Sequence, residues 1–229
     1  GGGILNDQLG TLTIEEAIIS GNTSIRAGGG IEDNSGVNTT ITIQNTLFEV
    51  NTTMDAPGNG GAIHITGNGN ISIDSSTFNE NFAAAEGGAL WNGSGMMSVN
   101  TSTISNNIAL GSASDQGGGG IYNLSGTLQL TNTSLSENQA VGASGSGGAV
   151  LNDSTGTLLV ENCLFLNNIA ARAGGAIEDV SGTPTVSLIS MSDFTENIAT
   201  QAPGNGGTIH ITGDGDMNIN GGTYEGNIA

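Results

Sequence analysis

The chain contains no lysine, and its only arginines are Arg26 and Arg172, set against 21 acidic residues. Phosphate recognition needs clustered Lys and Arg, so this deficit excludes nucleic acid and anionic membrane surfaces as partners. A single cysteine, Cys163, excludes an internal disulfide. No run approaches the ~20 apolar residues of a membrane helix, so direct membrane insertion is not expected of this segment. A clean 3.6-residue period over ten residues is also missing, which excludes amphipathic helices as the organising element. Aromatic residues are scarce, at 3%, so a conventional globular core is not on offer. The net charge of −19 repels itself most strongly at low salt, and points to a medium rich in salt or divalent ions. The sequence shows no signal peptide and opens on Gly1, and is read as a processed or cut segment.

What is present is repetition. A Gly-Gly-small-aliphatic motif ends at Ile4, Ile31, Ile63, Leu90, Ile121, Val150, Ile177 and Ile209. A hydrophobic-x-x-Asn motif keeps step with it: Ile19/Asn22, Phe48/Asn51, Phe78/Asn81, Ile104/Asn107, Leu135/Asn138, Phe165/Asn168, Phe194/Asn197 and Tyr224/Asn227. Between them lie short alternating runs such as Thr40-Ile41-Thr42-Ile43, the mark of a half-buried strand. Fixed-period self-similarity of this kind signals a solenoid. The prediction is all-β: a right-handed parallel β-helix of eight coils of 26–32 residues, with three short strands per coil. Residues 1–229 form one domain, a rod ~40 Å long at ~4.8 Å per coil.

The register assigns columns. Pairs such as Ile41/Ile43, Ile71/Ile73 and Leu128/Leu130 point inward, with Ser187 breaking the column beside Ile189. Ala17, Thr46, Ser76, Ser102, Thr133, Cys163, Ser192 and Gly222 form a small inward column, so Cys163 is read as a core stand-in for Ser or Thr. The Asn column is expected at a turn, stacking on its own copies. Glu32, His64, Trp91, Tyr122, Glu178 and His210 share an outward slot.

A longer period lies above the coils. Residues 1–83 laid over 147–229 match at 39 of 83 positions without a gap, a superunit of 146 residues or five coils. Arg26/Arg172, Glu32-Asp33/Glu178-Asp179, His64/His210 and Ala56-Pro57/Ala202-Pro203 coincide. Neither end shows a polar capping repeat. The expectation is a piece of a longer array, or rods that associate end to end.

The residues Gly60-Gly61-Ala62-Ile63 with Phe78-Asn79-Glu80-Asn81, and Gly174-Gly175-Ala176-Ile177 with Phe194-Thr195-Glu196-Asn197, resemble the polymorphic outer-membrane protein repeats. The other six units match with conservative swaps. These are bacterial surface proteins, often autotransporter passengers. The resemblance implies an exposed β-helix with an adhesive or scaffolding role, extracellular, facing surface glycans or a host or neighbouring cell.

Chemistry is sparse. Lyases of this fold use Arg or Lys as base beside carboxylates, and here no Lys exists. Glu32-Asp33 and Glu178-Asp179 are the carboxylate pairs available to a hydrolase, but alternation sends Glu outward and Asp toward the turn, where Asn6, Asn92, Asn123 and Asn152 sit in other coils. The expectation is no enzyme and no cofactor, with calcium at Asp214 and Asp216 the one candidate ion. Trp91 and Tyr122, outward in neighbouring coils, are candidate glycan contacts. Two alternatives stand beside the adhesive rod: a polysaccharide-binding or polysaccharide-cleaving β-helix, and an ice-binding one resting on Thr11/Thr13 and Thr40/Thr42.

Overall fold

A computed structural model describes residues 1–36, 39–201 and 204–229, so Ala202 and Pro203 of the superunit match lie outside the described residues. All regular structure in it is β. Three parallel sheets each take one strand from every coil, eight strands apiece. The first sheet runs from Ile4–Gln8 to Ile209–Ile211, the second from Leu12–Glu15 to Asp216–Asn220, the third from Ile18–Ser20 to Tyr224–Glu225. The expected three strands per coil are joined by a fourth ladder of two-residue strands, from Thr23–Ser24 to Ile198–Ala199, with seven strands. Coils are numbered below by the aliphatic residue that opens them, from Ile4 in coil 1 to Ile209 in coil 8.

The turns follow one rule. A left-handed residue stands at each of three corners. At the corner between second and third sheets it is Glu16, Asn45, Ser75, Thr101, Asn132, Asn162 or Met191, with φ of 48–52°. After the third sheet it is Val50, Glu80, Asn106, Glu137, Asn167 or Glu196, with φ of 54–57°. Side chains are tolerated at these two corners at some conformational cost. The corner before the first sheet accepts only glycine. At Gly87 (φ +63°) a Cβ would lie 2.2 Å from the Leu90 carbonyl oxygen, closer than any atom can sit.

Inside, the aliphatic columns close into one core. Ile41, Ile43, Ile71, Ile73, Met97, Val99, Leu128 and Leu130 are all buried. The rings of Phe48 and Phe78 stack at 4.7 Å, and those of Phe165 and Phe194 at 4.5 Å. Those spacings match the distance between strands, so one side chain per coil fills the axis without a gap. Each buried Phe contributes about 2–3 kcal/mol through area removed from water.

The asparagine column after the third sheet is bonded from coil to coil. Asn107 donates from Nδ2 to Asn138 Oδ1 (2.9 Å) and to the Phe78 carbonyl (3.0 Å). Its own Oδ1 accepts from the Asn81 backbone (2.9 Å) and from Asn81 Nδ2 (3.0 Å). The same pattern recurs at Asn51, Asn81, Asn138, Asn168 and Asn197. The small column forms a second ladder. Ser76 Oγ donates to the carbonyl of Asp74 and accepts the backbone N–H of Thr46. Cys163 Sγ makes the corresponding contact to the Glu161 carbonyl at 3.3 Å, which confirms it as a stand-in for a hydroxyl. Burial pushes its thiol up to about 11, so it is an inert thiol at neutral pH.

Candidate functional site

The outward slot of the first sheet is the place where sequence and structure part. Leu5, Glu32, His64, Trp91, Tyr122, Leu151, Glu178 and His210 follow one another across that sheet in register. The order and the neighbours are those expected, but the exposure is not. Glu32 is 7% exposed, His64 5%, Trp91 8%, Tyr122 3% and Glu178 0%. The slot faces away from the core, yet from coil 2 to coil 7 its residues are covered. Glu86, from the loop before coil 4, accepts a hydrogen bond from Trp91 Nε1 (3.0 Å). Asp153, from the turn after the coil 6 strand, accepts one from the Tyr122 hydroxyl (2.7 Å). Leu124 and Val180 pack against the same Trp91–Tyr122–Leu151 cluster. A second small core therefore lies outside the first sheet.

This corrects the glycan-contact reading of Trp91 and Tyr122 in one respect. The two rings are parallel, 5.9 Å apart and 4° from coplanar in tilt, as a stacked pair. Their faces are taken up by each other, by His64 at 4.4 Å and by the loops, so neither offers a sugar an open face. Glu32 and Glu178 are corrected likewise, from surface carboxylates to covered ones. Each meets the arginine six residues before it: Arg26 with Glu32, and Arg172 with Glu178 at 3.2 Å. Arg172 also reaches Ser146 Oγ (3.0 Å) and the Ser114 carbonyl (3.2 Å), tying loops of three coils together.

Burial sets the electrostatics of this layer. It raises the pKa of Glu178, against the downward pull of His210, Arg172 and Thr212. It raises that of Glu86 against the Trp91 hydrogen bond. Burial also drives His64 down to about 4, with Glu32 opposing, so His64 is neutral at physiological pH. His210 Nδ1 lies 2.9 Å from Glu178 Oε2. Tyr122 is pushed upward, first by burial and then by Glu86 and Asp153.

The Asp residues beside the two glutamates turn the other way. Asp33 accepts from Asn6 Nδ2 (2.6 Å) and Ser35 Oγ (2.7 Å); Asp179 accepts from Asn152 Nδ2 (3.1 Å) and the Ser181 backbone (3.0 Å). Both stand in the column of Asn6, Asn92, Asn123 and Asn152, as their register predicts: Asp33 pairs with Asn6, and Asp179 ends a side-chain ladder running through Asn92, Asn123 and Asn152. Asn92 Oδ1 has no partner there, because the residue before it in that column is Ile65. Asp214 and Asp216 flank Gly215 and are both exposed. Among the described residues no group of three or more His, Cys, Asp or Glu is placed to hold a metal ion.

Loop cover was missed because strand alternation reports the side of a residue, never its depth. One signal for it does exist in the sequence. Leu151 shares the slot with Trp91 and Tyr122, and three large apolar neighbours on one column are seldom left in water.

The second and third sheets keep open outer faces. On the second, Thr13, Ser72, Leu188 and Asn218 are exposed, and the slot changes character from coil to coil. A shallow hollow of about 230 Å³ lies there, lined by Gln129, Thr131, Leu159, Glu161, Leu188 and Ser190 among others. No helix in the structure is long and apolar enough to cross a membrane.

No curated protein and no solved structure matches the chain. Residues 75–93 and 162–178 match the Chlamydia polymorphic membrane protein (Chlamydia_PMP) repeat. Each segment begins at or beside a left-handed corner, runs through Phe-x-x-Asn, and ends just beyond the next Gly-Gly-Ala-aliphatic motif, so sequence match and geometry describe the same unit. Two segments of the chain are thus similar to the polymorphic membrane protein repeat, and they are folded as stacked coils of a parallel β-solenoid.

Proposed function

We propose that these coils form the rod of a bacterial cell-surface protein, outside the cell, acting as a stiff spacer with an adhesive flank and carrying out no reaction. One observation supports this most. Among the described residues, the asparagine that recurs in every coil is spent on bonds between coils, as in Asn107 to Asn138. The repeat found at residues 75–93 and 162–178 fits a bacterial surface protein. Adhesion then belongs to the open second and third sheets, whose residues vary along the rod.

The direct test is to follow the chain on intact cells with an antibody and external protease, and to measure binding of the purified rod to cells and to immobilised glycans. Surface labelling with saturable binding is expected. Labelling only after lysis, or release of unsaturated or reducing sugar from pectin or alginate, would overturn the reading. The hollow around Leu159 and Leu188, rimmed by Gln129, Thr131, Glu161 and Ser190, favours a second reading in which the bound partner is a polysaccharide. Loss of glycan binding in Leu188→Asp with an unchanged fold distinguishes it. The ice-binding alternative is tested by thermal hysteresis.

A further inference from the structure

The asparagine, hydroxyl and glycine columns are nearly the same in every coil, so by themselves they let any coil stack on any other. The covered slot of the first sheet differs in this respect. We propose that this slot fixes the order in which coils stack, and that the face presented by coil 8 is specific for a coil carrying tryptophan at the position of Trp91.

The slot reads Leu5, Glu32, His64, Trp91, Tyr122, then Leu151, Glu178, His210. Leu, Glu and His thus recur 146 residues apart, while Trp and Tyr occupy the two coils between. Several steps have a contact of their own. Glu178 meets His210 at 2.9 Å. His64 stacks on Trp91 at 4.4 Å and 24°, and Trp91 on Tyr122 at 5.9 Å. Tyr122 donates to Asp153 of the following coil, the one that carries Leu151. A coil out of order breaks these pairings inside a covered layer. It would remove the His210 partner from the buried Glu178, or leave the Tyr122 hydroxyl without its acceptor, both of which are costly under burial.

In coil 8, His210 holds Glu178 on one flank, and its side chain is 19% exposed. The coil that completes it is one like coil 4, bringing Trp91 and the Glu86 that anchors it. On this rule, identical chains laid head to tail are out of phase. They would place Leu5 against His210, a pair found nowhere in the rod.

Two extended chains test this. One carries a second copy of residues 84–140 after Ala229, which sets tryptophan on His210. The other carries a second copy of residues 141–199, which sets leucine there. Both join at equivalent positions of the fourth ladder, where Ala83, Ala109, Ala140, Ala170 and Ala199 fall in register. Limited proteolysis and acrylamide quenching read the outcome. The first extension should survive at least tenfold longer than the second, with its added tryptophan shielded. Changing the added leucine of the second to tryptophan should lengthen its survival, and changing the added tryptophan of the first to leucine should shorten it. Equal survival of the two extensions, no effect of either exchange, or no protection of the first extension would overturn the proposal.

Discussion

Asn107 and Asn138 are 31 residues apart in the chain, yet their side-chain amides are joined at 2.9 Å in neighbouring coils. Asn107 makes four such bonds, all buried, so it can be replaced by nothing smaller without orphaning its neighbours. Asn107→Ala should cost about 2–4 kcal/mol in urea unfolding, through unmade hydrogen bonds on both sides. Asn107→Asp keeps the shape but removes both donors and buries a charge, and should cost at least as much at pH 7. A loss below ~1 kcal/mol for both would show that the ladder is a by-product of the fold rather than a support for it.

Val50 is a β-branched residue at a left-handed corner, with φ of 55° and its side chain exposed. Equivalent positions hold Asn106 and Asn167 without strain of that size. Val50→Asn or Val50→Gly should stabilise by about 1 kcal/mol, measured as a rise in urea midpoint with unchanged slope. A fall in midpoint would contradict the corner assignment.

Thr53 has a buried hydroxyl with no partner, where the coils that follow have Ala83, Ala109, Ala140 and Ala170. Removing an unsatisfied buried hydroxyl relieves a desolvation penalty, so Thr53→Ala should be neutral or stabilising by up to ~1 kcal/mol. Substitution of a bonded hydroxyl, Ser76→Ala, should be destabilising in the same assay.

His64 gives the layer outside the first sheet a pH signature. Its folded pKa is lowered to about 4 from 6.5, so the unfolded chain binds the proton more readily between those values. Its contribution is therefore fully present above pH 6.5 and is lost as pH falls toward 4, by about 2–3 kcal/mol. Glu178 and Glu86, with raised pKa values, act in the opposite sense, losing stability as pH rises from 4.5 through their folded values. Comparing the wild type with His64→Phe isolates the histidine. The advantage of the wild type should shrink across pH 6.5 to 4, and a constant difference would mean that His64 is not shielded as placed.

Trp91 is the sole tryptophan, which makes its cover directly observable. At 8% exposure and hydrogen-bonded to Glu86, it should resist acrylamide quenching in the folded state, and Trp91→Ala should cost about 3–5 kcal/mol. Strong quenching in the native protein would restore an open aromatic face.

The coil plan was legible because two motifs kept step. Phe78 with Asn81 and Gly87 with Gly88 mark two corners of the same unit, and the alternation in Thr40–Gln44 gives the strand between. Cys163 could be placed because its neighbours in the column are Thr133 and Ser192. The fourth ladder was not legible. Its strands, such as Phe82–Ala83 and Ile108–Ala109, are two residues long, and no alternation can be read from two positions. The cover over Trp91 and Tyr122 escaped for a related reason. It depends on where Glu86 and Asp153 fold back, and such contacts follow no period.

The bonds between coils run along the rod, whereas covalent continuity runs around it. Tension applied at the two ends therefore loads one set of coil-to-coil bonds at a time, and the terminal coil peels before its neighbour is stretched. Each coil of 26–32 residues adds ~5 Å to the rod when folded but releases ~100 Å of chain when it opens. A rod of such coils pulled from its ends would lengthen in discrete steps, absorbing work at each one, while the coils not yet reached keep their shape.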